Sequence, residues 1–249
     1  MDKLKAYHGD EKFKRDFVAM AILHREQDRY IKGTFSEKDS DDADFFKGCS
    51  VGCSIRSLKL LGKNGMDYNN HAKLAESLGW PDWLTLLQDT IFERLPQSES
   101  ETWTEELAQA VPVGVDLSVV KWQFCAFLMR ENIERVIDLK MDEESKKKVL
   151  DSIRSVLSLH EKAALGNIPE SAAWSAAESA ARSASWSAAE SEAESAAESA
   201  ARSAAWSAAE SAAESAAWSA ARSAAWSAAW SAAFVKYKKE LLRLIKEVK

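Results

Sequence analysis

Residues 48–57, GCSVGCSIRS, gather two thiols, three hydroxyls, a guanidinium and two glycines in one short stretch. Glycine frees the backbone to turn tightly. Successive amides in such a turn form a concavity that suits an anion. Gly48, Gly52 and the side chains of Cys49, Cys53, Ser54, Arg56 and Ser57 therefore make the leading ligand-binding candidate, for a phosphate or nucleotide-like group. The plainer reading is a compact turn with two small thiols filling core space. His24 and Asp28, four apart, are expected to share a helix face, where the carboxylate orients the imidazole as in many ligand-binding histidines.

Other chemistry is less complete. Cys49 and Cys53 have the spacing of a zinc knuckle pair, but a lone pair needs further ligands, and nothing local brings His24, His71 or Cys125 beside them. No metal or cofactor is expected. A thiolate nucleophile needs a neighbouring base and a lowered pKa, which gives Cys49 or Cys53 with His24 or His71 as a second, enzymatic reading. The chain has no P-loop, dinucleotide fingerprint, serine elbow or HExxH motif.

Helices must position these groups. Asp10 caps a first helix predicted to run to about Lys32, with Phe13, Phe17, Met20, Ala21, His24 and Ile31 on one face. The acidic residues 34–47 read as a loop, residues 48–57 as a turn, and residues 58–68 as irregular. Asn70 opens a short helix stopped by Gly79, and Pro81 suits the first turn of the next. Further helices are expected from Ser100 or Thr102 to Ala110, from Leu117 to Met129, and from Asp142 to His160. No alternation persists long enough for a sheet, so the fold class is mostly α.

The last third is built on one four-residue unit, SAAX, repeated sixteen times from Ser171 to Phe234. Alanine is the strongest helix former, and no Pro or Gly interrupts the tract. One continuous helix would be about 96 Å long; the alternative is a tail folded into two or three packed helices. Four residues overshoot a turn by about 40°, so the X positions wind around the axis. Trp174, Trp186, Trp206, Trp218, Trp226, Trp230 and Phe234 are thus packing or oligomer contacts. The expected organisation is a helical domain over residues 1–165 with a loop at 34–57, a hinge at 166–170, the repeat helix at 171–234 and an amphipathic terminal helix at 235–249.

The net charge is −6, and residues 1–170 carry the whole excess. Without a basic stripe, nucleic acid is not the expected partner. No apolar stretch is long enough to span a membrane, the three cysteines do not make a disulfide scaffold, and no secretory signal is read at the start; a cytoplasmic protein is expected.

HREQD at 24–28, IKG at 31–33, GCSVGCS at 48–54, LGWPDWLTLLQDTIFERLP at 78–96 and the tail from Ser171 together resemble a family of uncharacterised phage and bacterial proteins. The acidic insert at 36–44 and the use of Ser throughout the repeat depart from its pattern. The resemblance implies a mobile-element setting and brings no activity with it. The expected function is non-enzymatic binding of a host protein or a small anionic ligand within a helical homo-oligomer, with phage counter-defence as the setting. A cysteine–histidine hydrolase or transferase and a purely structural scaffold are the alternatives.

Overall fold

The computed structural model describes residues 4–33, 47–63, 70–173, 176 and 231–248. The tryptophans of the repeat, Trp174, Trp186, Trp206, Trp218, Trp226 and Trp230, lie outside the described residues, as does the question of one helix or several there.

The described residues are mostly α-helical, in several packed helices, and among them there is no sheet. We label α1 (Glu11–Glu26), α2 (Ser50–Leu60), α3 (His71–Leu78), α4 (Asp82–Arg94), α5 (Gln97–Ala110), α6 (Ser118–Asp138) and α7 (Glu143–Ala164); residues 231–247 form a further helix. The chain divides into two compact units. One joins Met1–Lys121 to Ser227–Lys249, and the other is Trp122–Trp226. The first unit is thus discontinuous in sequence, where a continuous domain over 1–165 was expected.

In the first unit α1 packs on α2 and α5, and α2 also meets α3 and α4. Local chemistry sets the ends of these helices. The Asp10 carboxylate accepts from the amides of Lys12 and Phe13 at 2.8 and 3.0 Å, satisfying donors with no partner inside α1. The Asn70 side chain does the same for Lys73 at 2.9 Å. Gly79 ends α3 at φ 65, and a Cβ there would stand 2.1 Å from the Lys5 carbonyl oxygen. Only glycine provides both that conformation and that approach. Phe17, Ala21 and His24 form the buried stripe of α1, and Trp103, Thr104 and Leu107 are buried on α5.

Ahead of α1, Tyr7 and His8 sit in the left-handed region at φ 53 and 56. Each such residue costs on the order of 1–3 kcal/mol. Burial of Tyr7 and the bond from its hydroxyl to the Ala108 carbonyl at 2.7 Å offset that cost. The amide of Ala6 donates to Val115 O at 2.9 Å and Gly114 N donates to Ala6 O at 2.8 Å, so this turn is tied to the connection after α5.

Residues 231–247 dock on α5. Lys238, 2% exposed, donates through Nζ to Glu99 Oε2 at 2.8 Å and to Glu106 Oε1 at 2.7 Å. Phe234, Leu241, Leu242, Leu244 and Ile245 are buried, and the Arg94 guanidinium lies over the Phe234 ring at 5.4 Å. Phe234 therefore packs within the first unit. In the second unit Arg130 on α6 pairs with Glu161 on α7 at 2.5 Å, and the Asp142 carboxylate caps α7 through the Ser145 amide.

Three expectations are corrected. The first helix ends at Glu26 instead of Lys32, because Asp28 turns left-handed at φ 51. Residues 50–60 are helical, so α2 replaces the turn read at 48–57 from Ser50 onward and the first residues, 58–60, of the stretch read as irregular; residues 34–46 and 64–69 lie outside the described residues. The helices placed at 100–110 and 117–129 are longer, starting at Gln97 and ending at Asp138 respectively.

Candidate functional site

α1 delivers His24 into the interior from its last turn. The side chain is 0% exposed, and neither ring nitrogen makes a hydrogen bond. The Tyr30 ring meets it edge-on, with centroids 6.2 Å apart. Two guanidinium groups bear on it, Arg29 just past the helix and Arg56 from α2. Burial above all, then the charges of Arg29 and Arg56, hold its pKa down to about 4, so the imidazole is neutral near pH 7. Arg29 is 8% exposed. Arg56 is half-buried, its Nε–H is shielded and unpartnered, and it forms no ion pair among the described residues. A buried polar group left without a partner costs about 1–3 kcal/mol, and more when charged.

Asp28 does not join this cluster as a hydrogen-bonding partner of His24. Its left-handed backbone takes it off the helix face, and it is exposed. The i, i+4 pair read from the sequence is therefore absent, because the helix has ended before the second member.

Gly48 pins the start of α2 to the exit from α1. Its amide donates to Arg29 O and its carbonyl accepts from Ile31 N, both at 3.0 Å. Cys49 then caps α2, its Sγ accepting from the Gly52 amide at 3.4 Å. Cys53 Sγ donates to Gly48 O at 3.5 Å and to Arg29 O at 3.6 Å. The Gly52 amide read from the sequence as part of an anion concavity is thus spent on the Cys49 sulfur, and the Cys53 amide on the Cys49 carbonyl. The hydroxyls are spent too. Ser54 and Ser57 donate back to the carbonyls of Ser50 and Cys53, each at 2.9 Å. Ser50 Oγ meets Thr104 Oγ1 at 2.7 Å, and Gln88 Nε2 donates to Ser50 and Ser54 at 2.7 and 3.1 Å. Of residues 48–57, Arg56 is the side chain left with an unpartnered donor.

His71 opens α3, and its Nε2 lies 3.8 Å from Asp89 Oδ2. Asp89 also bears on Cys49. Burial first, and in smaller part that carboxylate, push the Cys49 thiol up to about 12, against the opposing pull of the Gly52 amide. Burial raises Cys53 as well. Both thiols are held protonated at neutral pH, the reverse of the low-pKa thiolate that nucleophilic catalysis uses. Among the described residues no group of three or more His, Cys, Asp or Glu is arranged to hold a metal ion, and no helix is long and apolar enough to cross a membrane.

A cleft of about 320 Å³ lies around Tyr7, His8, Phe13 and Lys63. Phe13 is eleven residues before His24 on α1, about 16 Å along the axis, so the cleft and the histidine are separate places. Arg29, Gln88, Asp89 and Thr104 were not singled out from sequence. Arg29 and Tyr30 adjoin His24 in the chain, which is the one local signal that existed.

No family model matches the chain, and neither a curated protein nor a solved structure matches it.

Proposed function

We propose that this chain is a non-enzymatic binding protein whose first unit takes a small anionic ligand between α1 and α2. The observation that carries the reading is the pairing of an unpartnered, shielded Arg56 Nε–H with a fully buried His24 that makes no hydrogen bond, beside a second guanidinium at Arg29. Guanidinium is the side chain best fitted to a planar or tetrahedral oxyanion, because its N–H groups form a fixed fork. An oxyanion there would supply an acceptor for the Arg56 Nε–H and for an N–H of His24, which have none among the described residues.

The repeat tract, most of which lies outside the described residues, belongs to the reading as the part that would serve homo-oligomer assembly, and phage counter-defence is the setting proposed with it. A host protein as the partner and a plain scaffold are the outcomes to be separated from ligand capture. The cysteine–histidine enzyme has no observation in its favour, since both candidate thiols are held protonated.

Native mass spectrometry of the intact chain, followed by the same sample denatured, tests the proposal. The expected result is a small anionic mass that is retained in the native spectrum and lost from Arg56→Gln. A subunit count with no added mass, together with no thermal shift on adding phosphate, sulfate or a nucleoside monophosphate, would overturn it.

A further inference from the structure

We propose that the cleft at the start of α1 binds an aromatic amino acid, holding its ring and both of its charges. This site is separate from the anion reading above and stands without it.

The cleft, of about 320 Å³, has the size of a small-molecule site. Its walls are aromatic. Phe13 is half-buried. The His8 ring lies within 23° of parallel to it, with centroids 6.4 Å apart, and the Tyr7 ring meets it edge-on at 6.1 Å. Tyr7 and His8 are also the two residues held left-handed ahead of α1. Bonds on several sides keep them so. The His8 amide donates to Lys5 O at 2.8 Å, His8 Nε2 donates to Ser77 O at 3.0 Å, and the Tyr7 hydroxyl donates to Ala108 O. Strained backbone fixed by its surroundings clusters at ligand clamps, and this wall is already set to receive a ring.

The charges of the lining are matched only in part. Asp10, Lys12, Asp16 and Lys63 all line the cleft. Lys12 and Asp16 hold each other at 2.6 Å. Asp10 accepts the amides of Lys12 and Phe13 at Oδ1, and no bond falls to its Oδ2 among the described residues. The Lys63 ammonium lies over the Phe13 ring at 5.2 Å, and it has no carboxylate partner among the described residues. One carboxylate oxygen and one ammonium are thus uncommitted beside one aromatic wall. Their complement is a molecule with an ammonium, a carboxylate and a ring. A multiply charged phosphate suits the cleft less well, because two carboxylates line it. An arriving carboxylate draws Lys63 Nζ off Phe13, where an exposed cation–π contact is weak. The freed face then takes the ligand's ring in the offset or edge-on arrangement that aromatic pairs prefer.

Saturation-transfer NMR titrations of the full chain with L-phenylalanine, hydrocinnamate and phenethylamine separate these contacts. Hydrocinnamate lacks the ammonium, and phenethylamine lacks the carboxylate. L-phenylalanine should bind at millimolar concentration or below, and L-alanine, without the ring, should not. Each missing charge should weaken binding about fivefold, the worth of an exposed ion pair. Lys63→Gln should weaken L-phenylalanine and hydrocinnamate by that factor and spare phenethylamine. Asp10→Asn, which keeps an N-cap for α1, should weaken L-phenylalanine and phenethylamine and spare hydrocinnamate. L-phenylalanine should also move the imidazole resonances of His8, one of four histidines in the chain. No binding of L-phenylalanine at millimolar concentration, or binding that leaves His8 unmoved, overturns the site. Equal affinity for the three aromatic probes overturns the match to a zwitterion, and equal affinity for L-alanine overturns the role of the ring.

Discussion

Lys238→Met should loosen the helix at 231–247 from α5. The wild-type ammonium is 2% exposed and reaches four oxygens: Glu99 Oε2 at 2.8 Å, Glu106 Oε1 at 2.7 Å, Glu99 O at 3.2 Å and Thr102 Oγ1 at 3.4 Å. Methionine keeps most of the apolar stem, so the loss isolates the charge. Breaking a fully buried ion pair costs about 3–5 kcal/mol, and an exposed pair contributes about 1 or less. The glutamates here are 39% and 38% exposed and can rehydrate once abandoned. The cost therefore falls between those limits, at about 2 kcal/mol, or about 4–8 °C in Tm for a chain of this size. Urea unfolding followed by circular dichroism measures the total, and hydrogen exchange across 231–247 localises it. High salt should close little of the gap, because the ammonium is shielded from mobile ions. Leu241→Ala is the control, since Leu241 is 0% exposed and its truncation should cost about 2–5 kcal/mol. A Lys238→Met protein within about 0.5 kcal/mol of wild type, beside a destabilised Leu241→Ala, would refute the reasoning and leave the apolar stripe as the sole fastening.

Gly79→Ala should cost at least about 2 kcal/mol in denaturant unfolding, because it combines a left-handed backbone with a Cβ 2.1 Å from the Lys5 carbonyl oxygen. His24 should make the ligand-free protein acid-sensitive. Its folded pKa of about 4 lies below the unfolded 6.5, so the neutral ring's contribution is complete above the unfolded value and is lost as pH falls toward the folded one. Wild type should lose roughly 2–3 kcal/mol more than His24→Gln between pH 7.5 and 4.5; equal losses in the two proteins would contradict the burial argument. Thiol labelling at pH 8 should modify Cys125, which is partly exposed, well before Cys49 and Cys53, which react only once urea opens the fold; rapid labelling of Cys49 in the native protein would revive the nucleophile reading.

What the sequence revealed was local. Asp10, Asn70, Asp142 and Gly79 mark helix ends through bonds that span two to four residues, and each stands where its side chain or its freedom from one predicted. Residues 48–57 misled because Gly52 carries a helix penalty of about 1 kcal/mol and the stretch has the look of a turn. Packing of α2 against four neighbouring elements overrides that local preference. It also explains why the serines were misjudged. Their partners Gln88 and Thr104 lie 34 to 54 residues away and become visible only when α2, α4 and α5 meet. Likewise His24 and Arg56 were each suspected, but Arg29 was not, since a guanidinium inside a helix read as running to Lys32 passes for a solvated charge. Lys238 was hidden in a basic run that suited a helix end, with nothing to tell the buried lysine from its exposed neighbour Lys239.

The bond between Lys238 and Glu106 spans 132 residues of chain. At typical ribosomal speeds of about 5–20 residues per second, α5 is made roughly 7–26 s before its cation arrives. Throughout that interval the nascent first unit carries the paired glutamates of α5 with no ammonium between them, and the apolar stripe of the last helix has not yet covered its neighbours. Closure of such a long loop is entropically mild, each doubling of length adding only about 0.6 kcal/mol. Time in the half-made state is therefore the larger hazard for this chain during synthesis.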